Sequence, residues 1–341
     1  MNFYLENKKL NETEFEKKKL VLQSKPLTLR LILTNQCNIN CIMCDLANQK
    51  NSFAIPYEVI KQIVGFFPYL ERLDWQGGEV FLVEYFEELV QKASLYPNIC
   101  QTLQTNGLLL DKKWAELLAK YNIAVLFSID GTTKKTYEHI RRGARFEDLL
   151  ENIYVFNKYR EKYNSNSTKI LCVCIMRTNY MELEEFIDFA IKYNFNQISF
   201  GPIHGTNAFN ENIFNPVDSQ AMEYLKKKMP MIEKICGEKG IILECSFKAY
   251  LIDKTDSLVK NYSIENNAGE IKCKLPWTNL CIDAIRGGDV YPECLCSRSV
   301  GNIMRDSLFN IWNAPIMQQY RSAIATDDFK RICSEYCIQV K

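Results

Sequence analysis

The sequence predicts an α/β protein: a partial (β/α)6 barrel followed by a small α+β module rich in cysteine. Three observations carry this. From Leu27 onward, short β-rich runs alternate with amphipathic helical stretches, the pattern of βα units around a parallel sheet. Polar motifs fall just after the strand-like runs, at the carboxyl ends where barrels keep their chemistry. Past residue 270 helical periodicity stops, and Cys, Gly and Pro punctuate short alternating runs.

Residues 1–27 form a charged lead-in, with Glu14-Phe15-Glu16-Lys17-Lys18-Lys19 reading as a solvated helix before the turn at Ser24-Lys25-Pro26. The barrel is expected over 28–237. Its strands lie near Leu29–Leu33, Arg72–Gln76, Cys100–Gln104, Ala124–Ile129, Lys169–Met176 and Gln197–Phe200. Helices are expected near Tyr57–Phe66, Val83–Ser94, Lys112–Lys120, Lys134–Arg160 (in two pieces broken around Gly143), Leu183–Tyr193 and Asp218–Cys236. Residues 238–270 read as a polar connector and 271–341 as the cysteine module.

With 42 basic and 41 acidic side chains the net charge is +1, which argues for neither nucleic acid nor an anionic membrane as partner. The first residues lack the basic-then-apolar order of a secretion signal, and no apolar run approaches the roughly 18 to 20 residues of a membrane span. A cytoplasmic protein is the expectation. In a reducing compartment, 14 cysteines point to metal or catalysis before disulfides.

Cys37, Cys41 and Cys44 follow the first strand on a loop of Thr, Asn and Gln, so three sulfurs can fold onto one centre. Structural zinc usually takes four ligands, and no His or fourth Cys lies near in sequence. A 4Fe-4S cube on three thiolates matches better and leaves one iron open for a reactant. A zinc knuckle remains the alternative.

The spacing Cys37-x3-Cys41-x2-Cys44 resembles the signature of the radical S-adenosylmethionine (SAM) superfamily, whose fold is a partial (β/α)6 TIM barrel. The resemblance implies that the open iron chelates SAM and that an electron from the cluster cleaves it to methionine and a 5′-deoxyadenosyl radical, which abstracts a substrate hydrogen. Gln76-Gly77-Gly78-Glu79 after the second strand is similar to the family's Gly-Gly-Glu turn, which contacts the SAM amino group; Val80 stands where Pro is usual. Asn106, in Thr105-Asn106-Gly107, and Ser128-Ile129-Asp130-Gly131 resemble positions lining the cofactor. Period-two alternation puts Ser128 and Asp130 on one face, facing ribose hydroxyls or, alternatively, capping the next helix. The resemblance also implies that an arginine of Tyr137-Glu138-His139-Ile140-Arg141-Arg142-Gly143, here Arg141, pairs with the SAM carboxylate.

Three candidates for chemistry on the substrate remain. Cys172 and Cys174 share one face of the fifth strand, either donating a hydrogen atom or packing as small hydrophobes. His204, in the loop after the sixth strand, is a substrate ligand, a proton acceptor or an ordinary loop residue.

Cys273-x2-Pro276-Trp277, the Gly287-Gly288-Asp289 turn, Cys294, Cys296 and Cys333-x3-Cys337 resemble the twitch domain, the short form of the SPASM extension, which carries an auxiliary 4Fe-4S cluster. The resemblance implies Cys273, Cys294, Cys333 and Cys337 as ligands, with Cys296 a rival for Cys294. A zinc ribbon is the alternative. Together the resemblances imply SAM and two 4Fe-4S clusters as cofactors, and an electron donor such as flavodoxin or ferredoxin. The substrate is a ribosomal peptide or protein to be oxidised, cross-linked or epimerised, or else an amino sugar or nucleotide; a non-catalytic iron-sulfur or zinc protein is the alternative of another class.

Overall fold

The computed structural model describes residues 2–48, 51–203, 209–251, 273–333 and 337. His204 and most of the expected connector lie outside the described residues.

Strands are β1 (Thr28–Ile32), β2 (Asn40–Cys41), β3 (Arg72–Gln76), β4 (Cys100–Thr105), β5 (Ala124–Ser128), β6 (Arg141–Arg142), β7 (Lys169–Ile175), β8 (Gln197–Pro202), β9 (Ile242–Cys245), β10 (Asn279–Asp283), β11 (Asp289–Tyr291) and β12 (Gly301–Asn302). Helices are α1 (Phe3–Glu16), α2 (Tyr57–Ile60), α3 (Phe86–Ala93), α4 (Lys112–Lys120), α5 (Lys134–Ile140), α6 (Phe146–Lys162), α7 (Leu183–Lys192), α8 (Ser219–Glu238), α9 (Lys248–Leu251), α10 (Leu275–Thr278), α11 (Leu308–Trp312) and α12 (Pro315–Ala325). Among the described residues no helix is long and apolar enough to cross a membrane.

The chain divides into two compact units that do not follow chain order: Met1–Gln36, Ser52–Thr102 and Lys260–Lys341 form one, and Cys37–Asn51 with Leu103–Val259 the other.

In the first unit β1 pairs in parallel with β3 on one side and β10 on the other. The β10–β11 and β11–β12 pairs are antiparallel, so the C-terminal hairpin extends the sheet that the first barrel strand begins. Leu29 and Leu31 alternate inward on β1, whereas β10 is buried on both faces from Leu280 to Asp283. The lead-in is not a solvated helix. Asn7, Asn11 and Glu14 form a buried polar stripe on α1. Asn11 Nδ2 donates to Trp277 O at 2.6 Å, and Glu14 accepts the backbone N–H groups of Gln23 and Ser24. Polar residues at helical spacing read as solvent-facing until their buried partners are known.

Arg321 closes this assembly. Fully buried, it donates to Pro276 O, Leu20 O and Trp312 O at 2.9, 2.7 and 2.8 Å. Arg321→Ala strands these carbonyls without donors and is expected to cost about 3 kcal/mol or more in urea unfolding; a change under about 1 kcal/mol would sink this account.

In the second unit β5, β7, β8 and β9 are consecutive parallel neighbours. β9 is one strand more than expected: Ile242–Cys245 opens what read as connector. Its four residues alternate between exposed and half-buried, too short and mixed for a clear periodic signal. The expected break at Gly143 is present, and there the chain forms β6, antiparallel to β2 with Cys41 opposite Arg141. Gly143 adopts φ +90°, a left-handed conformation that glycine takes without strain, and so turns the chain from β6 into α6.

Candidate active site

Within the first unit, the Gly-Gly-Glu turn is stitched to the residues that precede the cysteine loop. Gly78 N–H donates to Thr34 O at 2.8 Å and Glu79 N–H to Gln36 O at 2.7 Å. A Cβ on Gly78 would sit 2.1 Å from Gln36 O, so only glycine fits there. Glu79 is fully buried, and its carboxylate accepts Phe81 N–H to cap the short 3-10 turn Val80–Leu82 that Val80 begins. Gly78→Ala must push Gln36 and the entry to Cys37 aside. Its expected signature is a thermal midpoint lowered by several degrees, from an overpacking cost of about 1 to 3 kcal/mol, together with weaker SAM binding in equilibrium dialysis. An unchanged midpoint and affinity would refute this reading of the turn.

In the second unit the structure gathers the cysteine loop with Asn106, Asp130, Arg141 and Cys174. Cys44 N–H donates to Cys41 O, forming a turn. Asn106 Nδ2 donates to Asn38 Oδ1 at 2.8 Å and reaches Cys37 Sγ at 3.7 Å. Arg141 Nη1 reaches Cys41 Sγ at 3.6 Å, and Nη2 pairs with Asp130 Oδ2 at 2.6 Å. Asp130 Oδ1 accepts Cys174 N–H at 2.8 Å, and Asn179 Nδ2 donates to Asp130 O at 2.9 Å. Asp130 is fully buried and Arg141 only 5% exposed, so both are committed within the protein. The cap of α5 is Thr133, leaving Asp130 out of that role. Ser128 stands apart, half-buried, taking a long contact from Gln104 Nε2 at 3.4 Å.

Burial pushes the Cys41 thiol up to about 11 against the pull of Arg141, with the charges of Cys44 and Cys37 adding to the rise. Among the described residues no three Cys, His, Asp or Glu side chains converge as on a single ion. The donor set here is three thiols on one short loop, with Asn106 beside Cys37 and Arg141 beside Cys41, and three thiolates each on a different iron is what a cube with one open iron takes. Cys172 and Cys174, in parallel register with Ser199 and Gly201, are held protonated at about 12 by burial and by Asp130.

The C-terminal thiols sort into two environments. Burial pushes Cys273 up to about 11, and Cys337 and Cys333 raise it further. Cys296 is raised by burial and by Cys273, Cys337 and Cys333. Cys294 instead answers to burial, Glu293 and Arg30. Its Sγ accepts from Arg30 Nη1 at 3.2 Å, while the same guanidinium pairs with Glu293 and with Asp74. The sequence favours Cys294 over its rival Cys296; the arginine that bears on this choice lies on β1, far from both in the chain.

Residues 31–190 match the radical SAM superfamily, and residues 273–338 match SPASM, an iron-sulfur cluster-binding domain. The chain belongs to the radical SAM superfamily. Its cofactors are SAM and 4Fe-4S clusters, one SAM-binding and one auxiliary. This radical SAM chain is 27% identical over 236 residues to a GTP 3′,8-cyclase of Petrotoga mobilis, covering 63% of this chain and 71% of that protein. It is 28% identical over 189 residues to a cysteine-type anaerobic sulfatase-maturating enzyme of Clostridium novyi, covering 50% of this chain and about half, 49%, of that one. Among solved structures, Streptococcus suis SuiB bound to precursor peptide SuiA superposes with a TM-score of 0.64 over 93% of this chain and 71% of that chain, at 20% identity. The fold is that of radical SAM enzymes with a SPASM-type extension, a partial barrel on a parallel sheet.

Proposed function

We propose that this chain modifies a peptide or protein by abstracting a hydrogen atom from one of its residues. The observation that carries this reading is the match of fold over 93% of the chain to SuiB with its precursor peptide, joined by sequence likeness to a sulfatase-maturating enzyme. Cys37, Cys41 and Cys44 are the proposed ligands of the SAM-binding cluster. That cluster, when loaded, supplies the electron that cleaves SAM to methionine and a 5′-deoxyadenosyl radical.

The chain's own residues divide the remaining work. Gly77, Gly78 and Glu79 are the proposed contacts of the cofactor's amino end, offering backbone groups and an acid, and Asn106 and Ser128 are further proposed cofactor contacts. Cys172 and Cys174, kept as thiols by burial, are the proposed hydrogen-atom donors to a substrate radical, the thiyl so formed being restored by an electron from the external donor and a proton. The auxiliary cluster is assigned to Cys273, Cys296, Cys333 and Cys337, with Cys294 held back by Arg30.

A second reading, rearrangement of a nucleotide, is favoured by the likeness to the GTP 3′,8-cyclase. One assay separates them. Reconstituted protein with SAM and reductant is expected to release 5′-deoxyadenosine faster with a short cysteine- or serine-containing peptide than with GTP, and mass spectrometry should find the peptide changed. Stimulation by GTP alone would overturn the peptide reading.

A further inference from the structure

Arg141 is spoken for on two sides. The β2–β6 pairing sets its backbone opposite Cys41, and Ile42 N–H donates to Ile140 O at 2.9 Å, so the two residues are held in fixed register. Its guanidinium reaches the Cys41 sulfur through Nη1 and Asp130 through Nη2, and Asp130 is itself anchored by the Cys174 amide. The surroundings are dry. Ile140, Met176 and Ile203 form a buried cluster against which Ile42, Met43 and Cys174 pack. Tyr137 Oη and Arg141 Nε are buried there without a hydrogen-bond partner. In such a medium a fixed charge beside a sulfur is screened less than at the surface.

We propose that Arg141, locked by Asp130, is a positioning residue that sets the reduction potential of the SAM-binding cluster through Cys41, in place of meeting the cofactor's carboxylate. This rests on Cys41 being a cluster ligand. Reduction adds one negative charge to the cluster, and hydrogen bonds to its sulfurs and nearby charge are among the factors that set cluster potentials. A cation donating to a ligand sulfur stabilises the reduced form and raises the potential. Asp130 opposes this by withdrawing part of that charge. A planar fork reaches sulfur and carboxylate at once, which a lysine ammonium does not.

The test is an EPR-monitored redox titration of full-length, reconstituted protein, following the signal that responds to added SAM. Arg141→Gln is expected to move the reduced-to-oxidised ratio at a fixed ambient potential at least tenfold toward oxidised, or 59 mV for a one-electron couple. Asp130→Asn should move it the other way, and Arg141→Lys should fall between Arg141→Gln and wild type. A purely structural role would lower iron content in each variant without opposite shifts. Unchanged potential in Arg141→Gln with weakened SAM binding would overturn the proposal and put the guanidinium on the cofactor. If Arg141→Gln fails to hold iron, Asp130→Asn decides: a rise supports the proposal and no change overturns it. Full iron and SAM cleavage in Cys41→Ala would instead sink the ligand assignment itself, and the proposal with it.

Discussion

Replacing any one of Cys37, Cys41 and Cys44 with Ala is expected to abolish release of 5′-deoxyadenosine from SAM. Bound iron should fall from about eight to about four per chain. The effect is large because the loop supplies only three thiolates. Losing one would leave two thiolates from this loop to hold a group that iron-sulfur proteins normally bind through four cysteines. The measurement is iron content and nucleoside release after anaerobic reconstitution, with far-UV circular dichroism as the control for folding. Burial raises the Cys41 thiol to about 11 against the pull of Arg141, so this thiol gives up its proton less readily than an exposed one. Turnover surviving in any of the three variants would show that the radical arises elsewhere.

Cys296→Ala should lose about four irons and the auxiliary cluster's spectrum, while Cys294→Ala keeps about eight. The contrast follows from partners. Cys296 responds to Cys273, Cys333 and Cys337, whereas Cys294 is tied to Arg30, whose other contacts are Glu293 and Asp74. Moving Cys294 onto a cluster would leave Arg30 with a surplus of carboxylate on one side and an empty donor on the other. SAM cleavage should persist in Cys296→Ala, since the proposed site of that cleavage is the Cys37–Cys44 loop, while peptide modification should fail. The opposite iron contents in the two variants would restore Cys294 as ligand.

Much of the barrel was legible from residues alone. Strands such as Ala124–Ser128 and helices such as Lys112–Lys120 appear where alternation and periodicity put them, because local pattern and tertiary burial agree there. The expected helix Tyr57–Phe66 becomes α2 followed by 3-10 turns over Lys61–Tyr69, where Gly65 and Pro68 interrupt the α ladder. The roles of Asp130 and Arg141 were harder to read. Their sequence positions look like ligands for a cofactor, yet each is the other's buried partner. No one-dimensional pattern records a contact eleven residues apart that depends on a two-residue strand.

The sequence by itself determined the chemistry available: three closely spaced thiols on a loop after a strand, glycines where backbone must approach backbone, and a cysteine-rich region after the last barrel helix. These are local properties, set by residue type and spacing. Folding alone set Cys294 against Arg30, packed α1 on the Lys61–Tyr69 turns and α10, paired the C-terminal hairpin with β1, and put Arg141 beside Cys41. The physical reason is common to all of them. Burial and charge pairing act between residues distant in sequence, and Arg30 with Cys294, or Arg321 with Leu20, are neighbours only after the chain has folded.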